Sequence, residues 1–276
     1  MILNDFIIEK HIKSALEEDI GFGDITTDFL AEEKDVLSGS LNSREAGVLC
    51  GCQIFEKVFK LLGNVEIKFY FKDGDFIAKG DKIASIKGSA KSILTGERTA
   101  LNYIQKLSGI ATETKKYQDA IGDYPAKIAD TRKTTPNFRL FEKYAVKTGG
   151  GALHRFNLSD CVIIKDNHIR LAGSISKAVG KLRKNVSHAH KIEVECDTLE
   201  QVKEAIQCNV DIIMLDNMKI DDMKDAVALI NKRAIVEASG RVTLENIREI
   251  ASIGVDIISS SAIITKAPTL DLALDI

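Results

Sequence analysis

Short runs of apolar, β-branched residues alternate with segments of helical period in the second half of the chain. Six of these runs are candidate strands, at residues 127–130, 161–165, 191–195, 211–215, 234–238 and 256–259. Strands that are apolar on both faces and joined by helices are typical of a parallel sheet covered by helices. The pattern therefore predicts six parallel strands, arranged as a barrel of α/β units or as an open doubly wound sheet.

A repeat supports this interpretation. The segments TLEQVKEAIQCNVDII, from Thr198, and TLENIREIASIGVDII, from Thr243, have the same length and the same apolar positions. Their apolar residues recur at spacings of three and four, as a core-facing helix requires. Thr198 and Gln201 also predict a capping box at the start of the first helix. We expect one helix–strand unit to be used twice.

The first third of the chain has a different pattern. Strand candidates lie at residues 39–42 and 65–71, and a glycine-punctuated segment follows at 71–88. Its two Gly-Asp turns are shared with biotinyl and lipoyl carrier domains, but the modifiable lysine of those domains is missing. We expect β structure there without a carrier function. A helix with Leu101, Ile104 and Leu107 leads out of this region, and we expect the domain boundary within it.

Composition narrows the classes of protein. The 276 residues carry a net charge of only -2, which disfavours generic binding to nucleic acid. No run of apolar residues is long enough to span a membrane, and the N-terminus lacks the basic start of a signal peptide. The five cysteines are scattered, which suits reduced thiols rather than a disulfide framework. We expect a soluble cytoplasmic protein.

Positive charge is concentrated in one stretch, residues 130–168. Its cationic residues are Arg132, Lys133, Arg139, Lys143, Lys147, His154, Arg155, Lys165 and His168. Several follow predicted strands or lie beside turn signals such as the triple glycine at 149–151. Lys165 comes directly after Val-Ile-Ile, which an ordinary solvated loop explains poorly. This local excess of cations predicts a site for a small anionic ligand.

Other polar residues also follow the predicted strands. Carboxylates such as Glu195 and Asp216, at the ends of neighbouring strands, can hold Mg²⁺ directly or through water. Ser239-Gly240 and the serines at 259–261 offer backbone N–H groups and hydroxyls near predicted helix starts, a setting suited to phosphate. Polar groups at the carboxyl ends of parallel strands predict an enzyme active site.

Eight ordered motifs resemble those of a known family. They are ERTALN at 97–102, DTRKTTP at 130–136, EKYAV at 142–146, GGG at 149–151 with HR at 154–155, KDNHI at 165–169, IEVE at 192–195, LDN at 215–217 and EASG at 237–240. Together with GDITT at 23–27 and APTLD near the end, they cover nearly the whole chain. The chain is similar to the quinolinate phosphoribosyltransferase family.

This resemblance implies a decarboxylating pentosyltransferase of NAD biosynthesis. Such an enzyme joins quinolinate to phosphoribosyl pyrophosphate with Mg²⁺ and gives nicotinate mononucleotide, pyrophosphate and CO₂. The implied fold is an N-terminal α/β sandwich, residues 1–110 with 268–276, and an incomplete six-stranded parallel α/β barrel, residues 111–267. The implied assembly is a homodimer, or a hexamer built from dimers, in which Arg98 reaches the neighbouring site.

The resemblance also implies roles for individual residues. By motif match, the quinolinate contacts are Arg132, His154, Arg155 and Lys165, with Arg98 from the partner subunit. Lys133 would lie between the two substrates. The phosphoribosyl pyrophosphate contacts are Lys133, Glu195, Asp216, Ser239, Gly240, Ser260 and Ser261. The catalytic residues would be Lys133, Lys165, Glu195 and Asp216, and Glu195 and Asp216 would also serve the metal.

Four residues depart from the usual family pattern. Leu153 and Arg241 stand where the family commonly has Asn, and Ser260-Ser261 replaces Val-Gly. These departures leave two alternatives open: a sibling phosphoribosyltransferase acting on another pyridine or anionic acceptor, and a non-catalytic anion-binding protein on the same scaffold. The complete set of charged motif residues favours the enzyme.

Overall fold

The computed structural model describes residues 3–276, which divide into two compact units. The first comprises the chain up to Lys115 together with residues 140–150 and 267–276, and the second comprises residues 116–139 and 151–266. Residues 140–150, which the family resemblance assigned to the barrel, group with the first unit. The change from the first unit to the second at Lys115 falls inside one long helix, Ala90–Ile121.

The first unit is built on an antiparallel sheet. Its strands are β1 (Val36–Ser43), β2 (Gly47–Val48), β3 (Val65–Phe69), β4 (Phe76–Ile77), β5 (Lys82–Ser89) and β12 (Leu272–Asp275). Its helices are α1 (Asp5–Ile20), α2 (Thr27–Leu30), α3 (Cys52–Leu62), most of α4 (Ala90–Ile121) and α5 (Arg139–Thr148). The four-stranded sheet has the order β12-β1-β5-β3, so the last strand of the chain pairs with the first. Strands β2 and β4 form a separate pair.

The second unit contains the six predicted parallel strands. They are β6 (Lys127–Ala129), β7 (Val162–Ile164), β8 (Ile192–Cys196), β9 (Ile212–Asp216), β10 (Ile235–Ser239) and β11 (Ile257–Ser259). Its helices are α6 (Asp166–Ala172), α7 (Ile175–Arg183), α8 (Leu199–Gln207), α9 (Ile220–Ile230), α10 (Ile247–Ser252) and α11 (Ala262–Thr265).

The strand order of this sheet shows that it is an incomplete barrel. The order is β6-β11-β10-β9-β8-β7, and every pairing is parallel. The first strand therefore pairs with the last, as in a closed barrel, while β6 and β7 are the two edges. The strands therefore run in order around the barrel from β7 to β11 and then to β6, and the barrel is open between β6 and β7. This confirms the predicted fold class and decides between the barrel and the open doubly wound sheet.

The two copies of the sequence repeat differ in their local structure. Helix α8 begins directly after Thr198, and the predicted capping box is confirmed: the Gln201 N–H donates to the Thr198 hydroxyl, and Gln201 Oε1 accepts from the Thr198 N–H. In the second copy, Asn246 replaces Gln201 and accepts from the Thr243 N–H, at 2.8 Å. Helix α10 begins only at Ile247.

Among residues 3–276, no helix is long and apolar enough to cross a membrane.

Candidate active site

A cavity of about 650 Å³ opens at the carboxyl ends of the barrel strands, entirely within the second unit. Side chains alternate between the two faces of a strand, so residues two apart on one strand point the same way. The cavity accordingly receives both Ile163 and Lys165, the latter just beyond β7, and both Met214 and Asp216 from β9. Glu195 enters from β8 and Ser239 from β10. Because side chains alternate in this way on several neighbouring strands, these polar side chains all enter the same cavity.

One wall of the cavity is cationic and comes from two loops. Arg132 and Lys133 follow β6, and Arg155 follows the chain segment that pairs with Ala129 through a single bridge at Ala152. Burial and the nearby positive charge of Arg132 lower the pKa of Arg155. The buried Nε atoms of Arg132 and Arg155 have no acceptor among residues 3–276. Unpaired guanidinium donors held close together create a site that favours an anion.

Hydrogen bonds from Arg139 connect these two loops. Its Nε donates to the Thr134 hydroxyl, at 2.9 Å, and its Nη1 donates to the carbonyl oxygen of Phe156, at 3.1 Å. Arg155 is held in turn by a 2.7 Å hydrogen bond from its Nη1 to the carbonyl oxygen of Cys161. Arg139 therefore contributes to the geometry of the cationic wall without lining the cavity.

His154 lies at the inner edge of this wall and contacts two buried glutamates. Its Nε2 is 3.3 Å from Glu193 and 3.5 Å from Glu237, while its backbone N–H donates to Asp130. Burial and the adjacent Glu193 carboxylate raise the pKa of Glu237 to about 7. Both glutamates belong to the family motifs IEVE and EASG, and the sequence gave them no role of their own. The sequence does not reveal that they are buried, because the alternation Ile-Glu-Val-Glu is equally typical of a strand whose polar face is exposed to solvent.

Carboxylates form the side of the cavity next to the cations. Lys165 Nζ makes a close ion pair with Glu195 Oε1, so two residues with separate predicted roles are paired in this structure. Burial raises the pKa of Glu195; the ion pair with Lys165 opposes this shift, and the charge of Asp216 adds to it. Asp216 is held by a hydrogen bond from Asn217 Nδ2, at 2.8 Å. Glu195 and Asp216 thus act on each other electrostatically across neighbouring strand ends.

Small residues also line the cavity. Ser239, Gly240, Ser260 and Ser261 all line it. The Ser260 hydroxyl accepts from the Ala262 N–H at the start of α11, a helix of only four residues. The expected helix start after Gly240 is wrong, because α10 begins seven residues later, at Ile247. The loop carries two consecutive left-handed residues instead, Gly240 at φ 96° and Arg241 at φ 51°.

Gly240 is the glycine of this site that tolerates substitution least. A Cβ at this position would lie 2.3 Å from Asn217 Oδ1 and 2.9 Å from the Asn217 backbone nitrogen. The positive φ adds a conformational cost for any other residue. We expect Gly240→Ala to displace Asn217 and to destabilise the protein by about 1–3 kcal/mol. Chemical denaturation measures this loss. Gly180→Ala, with open space around its Cβ position, is the control, and equal stability of the two variants would contradict the expectation.

The structure brings together all but one of the predicted site residues. Arg98 does not line the cavity; it is exposed on α4 in the first unit. Three polar residues that were not predicted as contacts also line the cavity: Thr131, Asn217 and Lys266. So does Arg241, which the sequence marked only as a departure. Lys266 lies seven positions after β11, the last strand of the barrel. A search for polar residues directly after the strands therefore does not select it.

Comparisons with known proteins identify the family of this chain. The family models that match are "Quinolinate phosphoribosyl transferase, N-terminal domain", over residues 24–108, and the corresponding C-terminal domain, over residues 110–275. A probable nicotinate-nucleotide pyrophosphorylase [carboxylating] of Synechocystis is 47% identical over 98% of this chain and 92% of that protein. A probable enzyme of the same name from Bacillus subtilis is 40% identical over 99% of this chain and 95% of its own length.

The crystal structure of NadC from Streptococcus pyogenes has the same fold. It superposes with a TM-score of 0.97, at 42% identity, and covers 100% of this chain and 98% of the other. The family models, the relatives and this structure each extend over nearly the whole chain. The protein described here therefore belongs to the quinolinate phosphoribosyltransferase family.

Proposed function

We propose that this protein transfers the phosphoribosyl group of phosphoribosyl pyrophosphate to quinolinate, with decarboxylation, in the biosynthesis of NAD. The products are nicotinate mononucleotide, pyrophosphate and CO₂. The observation that carries the proposal is one cavity with two complementary walls: guanidinium and ammonium groups on one side, and carboxylates with small hydroxyl residues beside them. The cationic wall fits a dianionic aromatic acid, and the wall of carboxylates and small residues fits a phosphorylated sugar with its metal ion.

The cationic wall matches the charge of quinolinate. Two carboxylates leave water when they bind, so each needs donors that replace its hydration. Arg132 and Arg155 have buried N–H groups without protein acceptors, and guanidinium groups bind carboxylates with two parallel hydrogen bonds. Burial and repulsion from Arg132 lower the pKa of Arg155, and an anion between the two guanidinium groups offsets this repulsion. Lys133, exposed on the same loop, would lie between the two substrates.

The carboxylate wall fits Mg²⁺ and the sugar donor. Mg²⁺ binds through one or two carboxylates and retains water and phosphate oxygens, and Glu195 and Asp216 are such a pair. An ion held there by Glu195 and Asp216 together with the donor would neutralise charge on the pyrophosphate. Ser239, Gly240, Ser260 and Ser261 would hold the phosphoribosyl part through hydroxyl and backbone N–H groups. Lys165 leaves its ion pair with Glu195 when it contacts a substrate carboxylate.

The chemistry requires positioning and charge stabilisation and no protein nucleophile. The pyridine nitrogen attacks the anomeric carbon as the bond to pyrophosphate breaks, and Lys133 stabilises the charge between the reactants. The ring nitrogen is then quaternary. Loss of the adjacent carboxylate as CO₂ leaves an electron pair on the neighbouring ring carbon, which the positive nitrogen stabilises, and that carbon then takes up a proton.

One assay tests this function. Purified protein is mixed with quinolinate, phosphoribosyl pyrophosphate and Mg²⁺, and nicotinate mononucleotide and CO₂ are measured, with nicotinate as the comparison acceptor. We expect both products from quinolinate and no turnover of nicotinate. Turnover of nicotinate alone would replace this function with that of another phosphoribosyltransferase, and absence of turnover with either acceptor would contradict it.

We further propose that the protein is a homodimer, or a hexamer built from dimers, in which Arg98 completes the site of the partner subunit. Arg98 is exposed and forms no salt bridge among residues 3–276. The first unit also exposes large apolar side chains that a partner would cover. They are Phe6, Phe22, Ile25, Phe29 and Leu30.

A mixing experiment tests this sharing of sites. Arg98→Ala and Lys133→Ala are each expected to lower turnover strongly, because Arg98→Ala removes a cation from the quinolinate site and Lys133→Ala removes the cation between the two substrates. If Arg98 acts in the partner's site, a mixed dimer has one doubly altered site and one intact site. Mixing the unfolded variants and refolding them should then restore on the order of a quarter of native turnover. If Arg98 acts in its own subunit, no intact site forms and the mixture stays inactive.

A further inference from the structure

His154 contacts two buried glutamates behind it, and the proposed function gives these glutamates no role. Glu193 is 1% exposed and Glu237 is 4% exposed, and neither lines the cavity, whereas His154 does. Glu193 Oε2 and Glu237 Oε1 have no hydrogen-bond partner within normal geometry among residues 3–276. Two buried carboxylates around one imidazole carry a large desolvation cost, so their arrangement calls for a specific function.

The hydrogen bonds of the ring define its tautomer. The backbone N–H of Arg155 donates to His154 Nδ1 at 2.7 Å, so Nδ1 carries no proton. The proton of the neutral ring is therefore on Nε2, which faces Glu193 at 3.3 Å and Glu237 at 3.5 Å. Burial lowers the pKa of His154 and the carboxylates raise it, with a net upward direction. A second proton, however, would have to lie on Nδ1, against the Arg155 N–H.

The same geometry excludes a metal site in this cluster. One nitrogen and two carboxylate oxygens lie within 4.8 Å of one another, a donor set that transition metals accept. A metal bound to Nε2, however, moves the imidazole proton to Nδ1, where metal-binding histidines normally donate a hydrogen bond. Here Nδ1 accepts one. Both ring nitrogens are thus used within the protein, and neither remains for a substrate carboxylate.

We propose that Glu193 and Glu237 are positioning residues that hold His154 as its Nε2–H tautomer, so that Nδ1 fixes the backbone of Arg155 and aims its guanidinium at the quinolinate carboxylate. This inference rests on the proposed function and changes the role of His154 from a substrate contact to a positioning residue. Arg155 is then held at both ends, by His154 at its backbone N–H and by the Cys161 carbonyl oxygen at Nη1. The remaining buried Nε is available to the substrate.

Substitution of His154 by Asn and by Gln distinguishes a positioning role from contact with the substrate. The amide oxygen of Asn can replace Nδ1 as the acceptor for the Arg155 N–H, whereas Gln extends to the place of Nε2. We expect His154→Ala and His154→Gln to raise the KM for quinolinate about 10-fold and His154→Asn to stay near the native value. The KM for phosphoribosyl pyrophosphate should not change in any of them. A near-native Gln variant with an impaired Asn variant would overturn the proposal.

A double-mutant cycle tests the glutamates. Glu237→Gln keeps the size of the side chain and should raise the KM for quinolinate in the native background. In an Arg155→Ala background it should have no further effect, because its influence passes through Arg155. Additive effects in the cycle would overturn the proposal. Circular dichroism of each variant verifies that it is folded.

Nuclear magnetic resonance tests the tautomer without activity. With ¹⁵N-labelled histidine, the His154 resonance should show a protonated Nε2 and an unprotonated Nδ1, both without ligand and with quinolinate. Protonation at Nδ1 in either state would overturn the positioning role. Because this measurement needs no turnover, it separates failure of this inference from failure of the proposed function, which the product assay detects.

Discussion

Arg132→Ala is expected to weaken quinolinate binding by about 10²–10³-fold, since it removes charge-assisted hydrogen bonds to a carboxylate in a partly buried site. The Arg132 Nε is buried and has no acceptor among residues 3–276, so the protein gains nothing from this group until an anion binds. Titration calorimetry with quinolinate measures the loss directly. The steady-state KM for quinolinate should rise in parallel, while the affinity for phosphoribosyl pyrophosphate changes little.

Two further variants separate charge from geometry. Arg132→Lys keeps the charge but loses the planar pair of donors, so an intermediate affinity is expected. Arg248→Ala removes an exposed arginine from α10, outside the cavity, and should bind quinolinate like the native protein. If Arg132→Ala bound quinolinate as tightly as Arg248→Ala, the cationic wall would not be the acceptor site.

The second large effect concerns the carboxylate wall. Asp216→Asn should lower kcat/KM for phosphoribosyl pyrophosphate by about 10²–10³-fold, because an amide lacks the charge that Mg²⁺ and its bound donor require. Asn has the same shape as Asp, so the local fold should persist. Binding of quinolinate alone should remain within a few-fold of native, which distinguishes this variant from Arg132→Ala. The Mg²⁺ concentration needed for half-maximal rate should rise.

Asp225→Asn is the matched control, since Asp225 is an exposed carboxylate on α9, the helix that follows the same strand. It should leave both the Mg²⁺ dependence and the rate unchanged. An Asp216→Asn protein with native turnover and native Mg²⁺ dependence would remove Asp216 from the proposed metal site. Glu195 would then need another role as well, because the two carboxylates influence each other in this cavity.

Strand positions were predictable from the sequence because their signal is local. Each predicted strand of the barrel overlaps an observed one, for example 211–215 and Ile212–Asp216. The pattern at the carboxyl ends also selected Arg132, Lys165, Glu195 and Asp216, and one cavity contains them all. Parallel strands end at one edge of a sheet, so the chain order of polar residues is enough to place them together. The roles of individual residues came from the family resemblance and not from this rule.

Other features depended on contacts between residues far apart in the chain. Glu193 and Glu195 are two positions apart in the same strand and point the same way, yet one is buried against His154 and the other pairs with Lys165 at the cavity. The pattern of β8 cannot separate them, since depth in the barrel is set by neighbouring strands.

The sequence by itself determined the six strands of the barrel, the concentration of cations after its first two strands and, through ordered motifs, the family. Tertiary structure alone decided that β6 pairs with β11 and leaves a gap beside β7, and that both ring nitrogens of His154 are engaged. The physical reason is the separation along the chain of the residues that interact. Periodicity and turn chemistry act between near neighbours, whereas strand closure, burial of charge and the choice of a tautomer depend on groups that only folding brings within a few ångströms.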